Sequence, residues 1–302
     1  MDAPQGKFSH RVSDVFIRGF LATMRTLPYE QRIALAGKFA TKVLAPLTGS
    51  RRRIRENLAL VMPELSQDAV EAIVRETPET MGRMLMETYS PDEFLARCAT
   101  TPILGPGLEI AKASQAEGKG GLLVTGHFGN YLAARGAFLA NGIPIGVLYK
   151  RMNNPFFNAH YVEAMAKFGE PMFERGRRGM SSMIKHLRSG GFVGIVQDQR
   201  IKNAPVMPFM GKPARTALSS AELALKYDIP LIPVYGVREP DGSYKVVTEP
   251  AIARSTPEEM TQAVNASLEA QIRAHPGQWM WTHNRWRDAG NATSEDRARG
   301  KA

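Results

Sequence analysis

Cysteine is almost missing. One thiol, Cys98, in 302 residues excludes an internal disulfide framework and any cysteine-built zinc site, and suits a reducing compartment. Long apolar runs are missing too. The longest stretch free of Asp, Glu, Lys and Arg is residues 120–134, fifteen positions that include Gly126, His127 and Asn130. A bilayer-crossing helix needs about 20 mostly apolar residues, so no transmembrane helix is expected and any membrane contact is peripheral. The chain opens polar (MDAPQGKFSHR), with no signal-peptide pattern. There is no Gly-x-Ser-x-Gly elbow, and the glycine-rich stretches EGKGG and FMGKPART lack P-loop spacing. No His/Asp/Glu grouping has metal-ligand spacing, so neither a metal nor a cofactor is expected. No internal repeat is visible.

What is present is a globular composition, 43% hydrophobic and 23% charged, with a net charge of +10. The charge is concentrated early: residues 1–60 hold 11 Lys/Arg against 4 Asp/Glu. Such an excess implies an anionic partner. No nucleic-acid recognition motif accompanies it, and nucleic acid is not expected. Phe16, Ile17, Phe20, Leu21 and Met24 share one helical face, while Arg11, Arg18 and Arg25 recur every seven residues on the other. That pattern suits a helix lying in an anionic membrane surface, or one packing on the domain, and both can hold at once. Residues 1–62 are read as a basic amphipathic helical segment, 63–287 as the main domain and 288–302 as a disordered polar tail.

The first hundred residues read as helices over 11–26, 28–47, 50–60 and 66–97. Met81, Met84, Leu85 and Met86 supply an apolar face to the last of these. From residue 100 the rhythm changes. Apolar runs at 121–125, 144–149, 192–197, 231–237 and 244–248 alternate with helical patterns near 107–117, 128–140, 156–168, 179–189, 215–227 and 257–274. Strand–helix alternation predicts an α/β fold with a mostly parallel central sheet flanked by helices. Pro240-Asp241-Gly242 marks a hairpin that makes one edge antiparallel.

The stretch GLLVTGHFGNYLAA (121–134) is a buried strand running through a glycine-rich turn into a helix, the place where α/β folds put their chemistry. His127 at that turn is suited to take a proton near neutral pH, or else it simply caps the helix. Asn130 is either an oxyanion donor or the helix cap. Lys150, Arg151, Arg175, Arg177 and Arg178 form the main basic cluster near the C-terminal sheet edge. They are phosphate-binding candidates by the planar fork of arginine, or ordinary solvated charges. Arg215-Thr216 is read as the start of a helix, with Thr216 a weak anion-site candidate. His160 and Tyr161 read as packing and pocket-wall residues, and His283 as structural.

GHFGN (126–130), LYKRMNNPFFNAHY (148–161), Asp198-Gln199, PFMGKPARTA (208–217) and PGQWMWTHNRW (276–286) together resemble the late lipid A acyltransferase family, related to the glycerolipid acyltransferases. The resemblance spans roughly residues 10–287. It implies transfer of a fatty acyl group from acyl carrier protein to a hydroxyl of a lipid A precursor or related glycolipid. The work would be done peripherally at the cytoplasmic face of the bacterial inner membrane, with His127 as base. The family's His-x4-acid motif departs here, because the acid position is Leu132. Three explanations compete. Asp198 supplies the carboxylate from a neighbouring strand end; or the chain is a catalytically impaired homologue that binds lipid or acts as a scaffold; or Leu132 is an introduced change.

Overall fold

The computed structural model describes residues 6–287, so the tail expected over 288–302 lies outside the described residues. Four N-terminal helices come first: α1 (Phe8–Arg25), α2 (Tyr29–Phe39), the short α3 (Ala45–Leu47), joined to α2 by a π turn, and α4 (Ser50–Val61). Next are α5 (Gln67–Thr88) and α6 (Pro91–Cys98). The α/β part follows as β1 (Ile103–Leu104), α7 (Gly107–Ala116), β2 (Gly121–Thr125), α8 (Tyr131–Ala140), β3 (Ile145–Tyr149), α9 (Pro155–Ala166), β4 (Met172–Glu174), α10 (Arg177–Arg188) and β5 (Phe192–Val196). It ends with β6 (Val206–Phe209), β7 (Lys212–Arg215), α11 (Ser219–Tyr227), β8 (Leu231–Arg238), β9 (Tyr244–Thr248) and α12 (Pro257–Ala274).

The main sheet has seven strands in the order β1-β9-β8-β2-β5-β3-β4. The five from β8 to β4 run parallel, and the 240–242 turn reverses β9 against β8. Because β2 is buried on both faces, it reads as an unbroken apolar run rather than an alternating one. Leu123, Phe192 and Ile232 pack one face against Ala111 of α7 and Ala134, Ala137 and Phe138 of α8. Leu122, Val124 and Val193 pack the other against Met183 of α10, Ala224 of α11 and Val264 of α12. The expected α/β class is therefore what forms.

Local chemistry sets the helix starts. Ser66 and Asn154 cap α5 and α9, Pro155 takes the first turn of α9, and Thr256 with Glu259 makes a full capping box on α12. Two readings need correction. The 66–97 stretch breaks in two at Ser90-Pro91. The helix expected over 215–227 starts only at Ser219, because residues 206–215 form the β6–β7 hairpin. Its two-residue loop, Met210-Gly211, has positive φ at both positions (51° and 72°), as tight hairpin turns demand.

On α1 the apolar face divides. Leu21 and Met24 are buried with Ile33, Met86 and Tyr89, and Asp14 ties the helix to α9 by accepting from His160 Nε2 at 3.0 Å. Phe16 is 74% exposed, Phe8 82% and Leu47 79%, and Phe20 is in ring contact with Phe39. None of the described helices is long and apolar enough to cross a membrane.

Candidate active site

The C-terminal ends of adjacent parallel strands converge on one crevice. His127 follows β2 and Asp198 follows β5, and these strands are neighbours. His127 Nδ1 donates to Asp198 Oδ1 at 2.7 Å, and the His127 backbone N–H donates to Oδ2 at 2.8 Å. The Asp198 side chain is 1% exposed, whereas that of His127 is 28% exposed. Among the described residues, the other ring nitrogen, Nε2, meets only the exposed amide of Gln199, at 3.3 Å. The imidazole is thus held from behind and open in front.

The electrostatics follow from that placement. Burial opposes the His127 imidazolium, but the Asp198 carboxylate outweighs it and raises the histidine pKa. For Asp198 burial works upward, yet the imidazole, the His127 N–H and the Trp279 indole bring its pKa down to about 2. The carboxylate is ionised at any working pH. It fixes the ring tautomer that leaves Nε2 able to accept a proton.

The turn carrying His127 is pinned on all sides. Gly129 has φ 53°, and any Cβ there would stand 1.9 Å from the Gly236 carbonyl oxygen, so only glycine fits. Its N–H donates to Gln278 O, Asn130 N–H donates to Gly236 O, and Met280 N–H donates to His127 O. Phe128 pairs with Trp279 in an isolated antiparallel bridge.

The remaining sequence candidates are spread around this turn and along the sheet edge. Asn130 is fully buried: its Oδ1 accepts from Leu132 N at 2.9 Å, and its Nδ2 donates to Glu87 Oε2 at 2.8 Å. The residue serves the helix cap, and the oxyanion alternative is set aside. Thr216 is corrected too. It is fully buried beyond β7, with Oγ1 accepting from Arg285 Nη2 at 2.6 Å, so it faces no solvent anion. Leu132 lies in a core cluster with Phe94, Cys98, Met165, Phe168 and Tyr244. Lys150 and Arg151 follow β3, while Arg175, Arg177 and Arg178 follow β4, all of them exposed. At about 4.8 Å per strand they begin roughly 10–15 Å along the same sheet edge from His127.

Two participants were not singled out from sequence. Glu87 of α5 is a buried carboxylate that receives Arg238 Nη2 at 2.7 Å and Tyr244 OH at 2.8 Å besides Asn130. It ties α5 to the turn beneath His127. Trp279 lies 1% exposed in a cluster with Trp281, Trp286 and Phe209, and its Nε1 donates to Asp198 Oδ2 at 2.8 Å. The Trp-rich run flagged that segment, but no spacing linked it to a carboxylate some eighty residues earlier.

A family model described as "Bacterial lipid A biosynthesis acyltransferase" matches residues 5–288. The chain is 28% identical over 280 residues to the lipid A biosynthesis lauroyltransferase of Escherichia coli (strain K12), covering 89% of each chain. It is 24% identical over 300 residues to the lipid A biosynthesis palmitoleoyltransferase of the same organism, covering 94% of this chain and 96% of the other. Among solved structures, the 1-acyl-sn-glycerophosphate acyltransferase PlsC of Thermotoga maritima is similar with a TM-score of 0.40 and 15% identity, over 89% of this chain and 99% of that one.

Proposed function

The chain belongs to the bacterial lipid A biosynthesis acyltransferase family, and on that premise we propose that it moves a fatty acyl group from an acyl carrier protein thioester to a hydroxyl of a lipid A precursor or related glycolipid. His127 is the base and Asp198 its carboxylate partner. The observation that carries this reading is the 2.7 Å bond between His127 Nδ1 and Asp198 Oδ1, with Nε2 left facing the crevice. It supplies from the end of β5 the acid that position 132 lacks.

In the proposed reaction the acceptor hydroxyl takes the place of the Gln199 amide at Nε2 and gives its proton to the imidazole. Its oxygen attacks the thioester carbonyl carbon. The C–S bond breaks, and the departing thiolate recovers the proton from the imidazolium. The anionic Asp198 stabilises that imidazolium while it lasts. No acyl-enzyme on the lone thiol is invoked, because Cys98 is buried and its pKa is pushed up to about 12 by desolvation. Lys150, Arg151, Arg175, Arg177 and Arg178 are placed to receive phosphate groups of either substrate. The exposed face of α1, with Phe8 and Phe16 beside Lys7 and Arg11, seats the protein peripherally on an anionic membrane. In this reading that membrane is the cytoplasmic face of the inner membrane.

The test is incubation with acyl carrier protein thioesters and a lipid A precursor, read by mass spectrometry. Wild type is expected to transfer the chain. Asp198→Asn, which keeps the shape but fixes the wrong tautomer, is expected to lose about 10⁴-fold in kcat by the precedent of His–carboxylate pairs. Absence of transfer by wild type with these substrates would instead favour the impaired, lipid-binding homologue.

A further inference from the structure

The closing segment from Gln278 to His283 touches the turn after β2, the loop after β5 and the end of β8. It bonds to the turn after β2 through Gly129 and His127. It reaches the loop after β5 at Arg200, whose N–H donates to His283 Nε2 at 3.0 Å, and the end of β8 at Arg238, whose N–H donates to Gln278 Oε1 at 2.9 Å. One member makes a contact of a different kind. Trp279 aims a buried N–H at Asp198, whose other donors among the described residues both come from His127.

We infer that Trp279 is the positioning residue of the His127–Asp198 pair: its indole N–H fixes the rotation of the Asp198 carboxylate so that Oδ1 is presented to Nδ1. The inference rests on the proposed pairing of these two residues and extends it to the element that makes a carboxylate on another strand usable. A carboxylate has two oxygens and one rotatable bond that decides which of them faces the imidazole. Here Oδ2 is occupied by two donors, Trp279 Nε1 and His127 N, both at 2.8 Å, and Oδ1 is left for the ring. With the Asp198 side chain 1% exposed, no bulk water is at hand to replace a lost donor. The indole N–H also draws charge from the carboxylate, moderating its pull on the imidazolium. This is in line with its place among the groups that lower the Asp198 pKa.

The same cluster contains its own control. Trp281 lies edge-on to Trp279, with ring centroids 4.7 Å apart, but its N–H donates to the Pro276 carbonyl at 2.7 Å and not to Asp198. Trp279→Phe and Trp281→Phe each remove one indole N–H and part of one buried ring, and only the first acts on the pair.

The experiment is an NMR titration of the His127 imidazole in the full chain, wild type and both variants, with the pH dependence of kcat/KM alongside. Trp279→Phe is expected to move the His127 titration and the acid limb upward together by about half a unit to one unit, a three- to tenfold change in protonation at fixed pH. Trp281→Phe is expected to leave both in place. A limb displaced downward reports loss of the pair altogether and supports the same role. A titration unmoved in Trp279→Phe, or moved equally in both variants, overturns the inference and leaves Trp279 a packing residue. The imidazole titration is read whether or not the protein transfers acyl groups, so failure of the inference is distinct from failure of the proposed activity. Should Trp279→Phe not fold, β-(3-benzothienyl)alanine at position 279, which keeps the bicyclic shape without the N–H, makes the same measurement.

Discussion

Placing a carboxyl five residues after His127 by Leu132→Glu is expected to damage this protein rather than activate it. Leu132 is fully buried among Phe94, Cys98, Met165, Phe168 and Tyr244, and the Tyr244 hydroxyl already donates to Glu87 at 2.8 Å. The substitution forfeits the burial of a leucine, roughly 2 kcal/mol. It also places a carboxyl where it must stay neutral at pH 7 although its ordinary pKa is about 4.3, a cost of about 4 kcal/mol. The total is roughly 6 kcal/mol against a typical stability of about 5–15 kcal/mol, equivalent to a Tm lower by roughly 10–20 °C. Thermal unfolding followed by circular dichroism reads the stability. Acyl transfer followed by mass spectrometry reads the activity, in wild type and in the Asp198→Asn background. A Leu132→Glu protein that melts at the wild-type temperature, or one that restores transfer to Asp198→Asn, refutes the reasoning. The first result would mean that the cluster accommodates a carboxyl, and the second that position 132 reaches His127 after all.

Other consequences can be measured independently. The raised His127 pKa means that the base form is lost as pH falls through a value above the ordinary 6.5 or so. The kcat/KM profile should therefore show an acid limb above that of free histidine, and a limb at or below it counts against the pair. The stabilising effect of the ion pair has the matching sign: complete below the ordinary imidazole pKa and lost as pH rises through the raised one. Replacing both Phe8 and Phe16 by Asp should weaken binding to anionic vesicles by roughly tenfold or more per residue, from about 1.5–3 kcal/mol of burial each. Their exposure means that Tm should hardly move, and unchanged vesicle binding argues against α1 as the membrane face. Glu87→Gln strands Arg238 as a buried cation and should cost about 3–5 kcal/mol of stability in denaturant unfolding. A loss under 1 kcal/mol would show that the network tolerates neutralisation.

Much of the fold was legible because its signals are local. The strands at 121–125 and 192–196 are unbroken β-branched and apolar runs, and Pro240-Asp241-Gly242 announces its own reversal. The β6–β7 hairpin was missed because Met210, which is not a usual turn residue, takes the first positive φ. The α1 face was read correctly as apolar. Its division into a buried half at Leu21 and Met24 and an exposed half at Phe8 and Phe16 depends on α2, α5 and α9, which a single-helix pattern does not contain.

For the site the same divide holds. The sequence alone determined that a histidine ends a buried strand, that a leucine stands five residues after it, and that arginines and a lysine crowd the ends of later strands. Each of these is a property of residue type and short-range spacing. Only the tertiary structure decided that Asp198 faces His127, that Asn130 and Thr216 are spent on internal bonds, and that Trp279 and Glu87 stand behind the turn. Those are contacts between residues about forty to eighty positions apart, made when parallel strands fall side by side and the chain's last segment folds back across their ends.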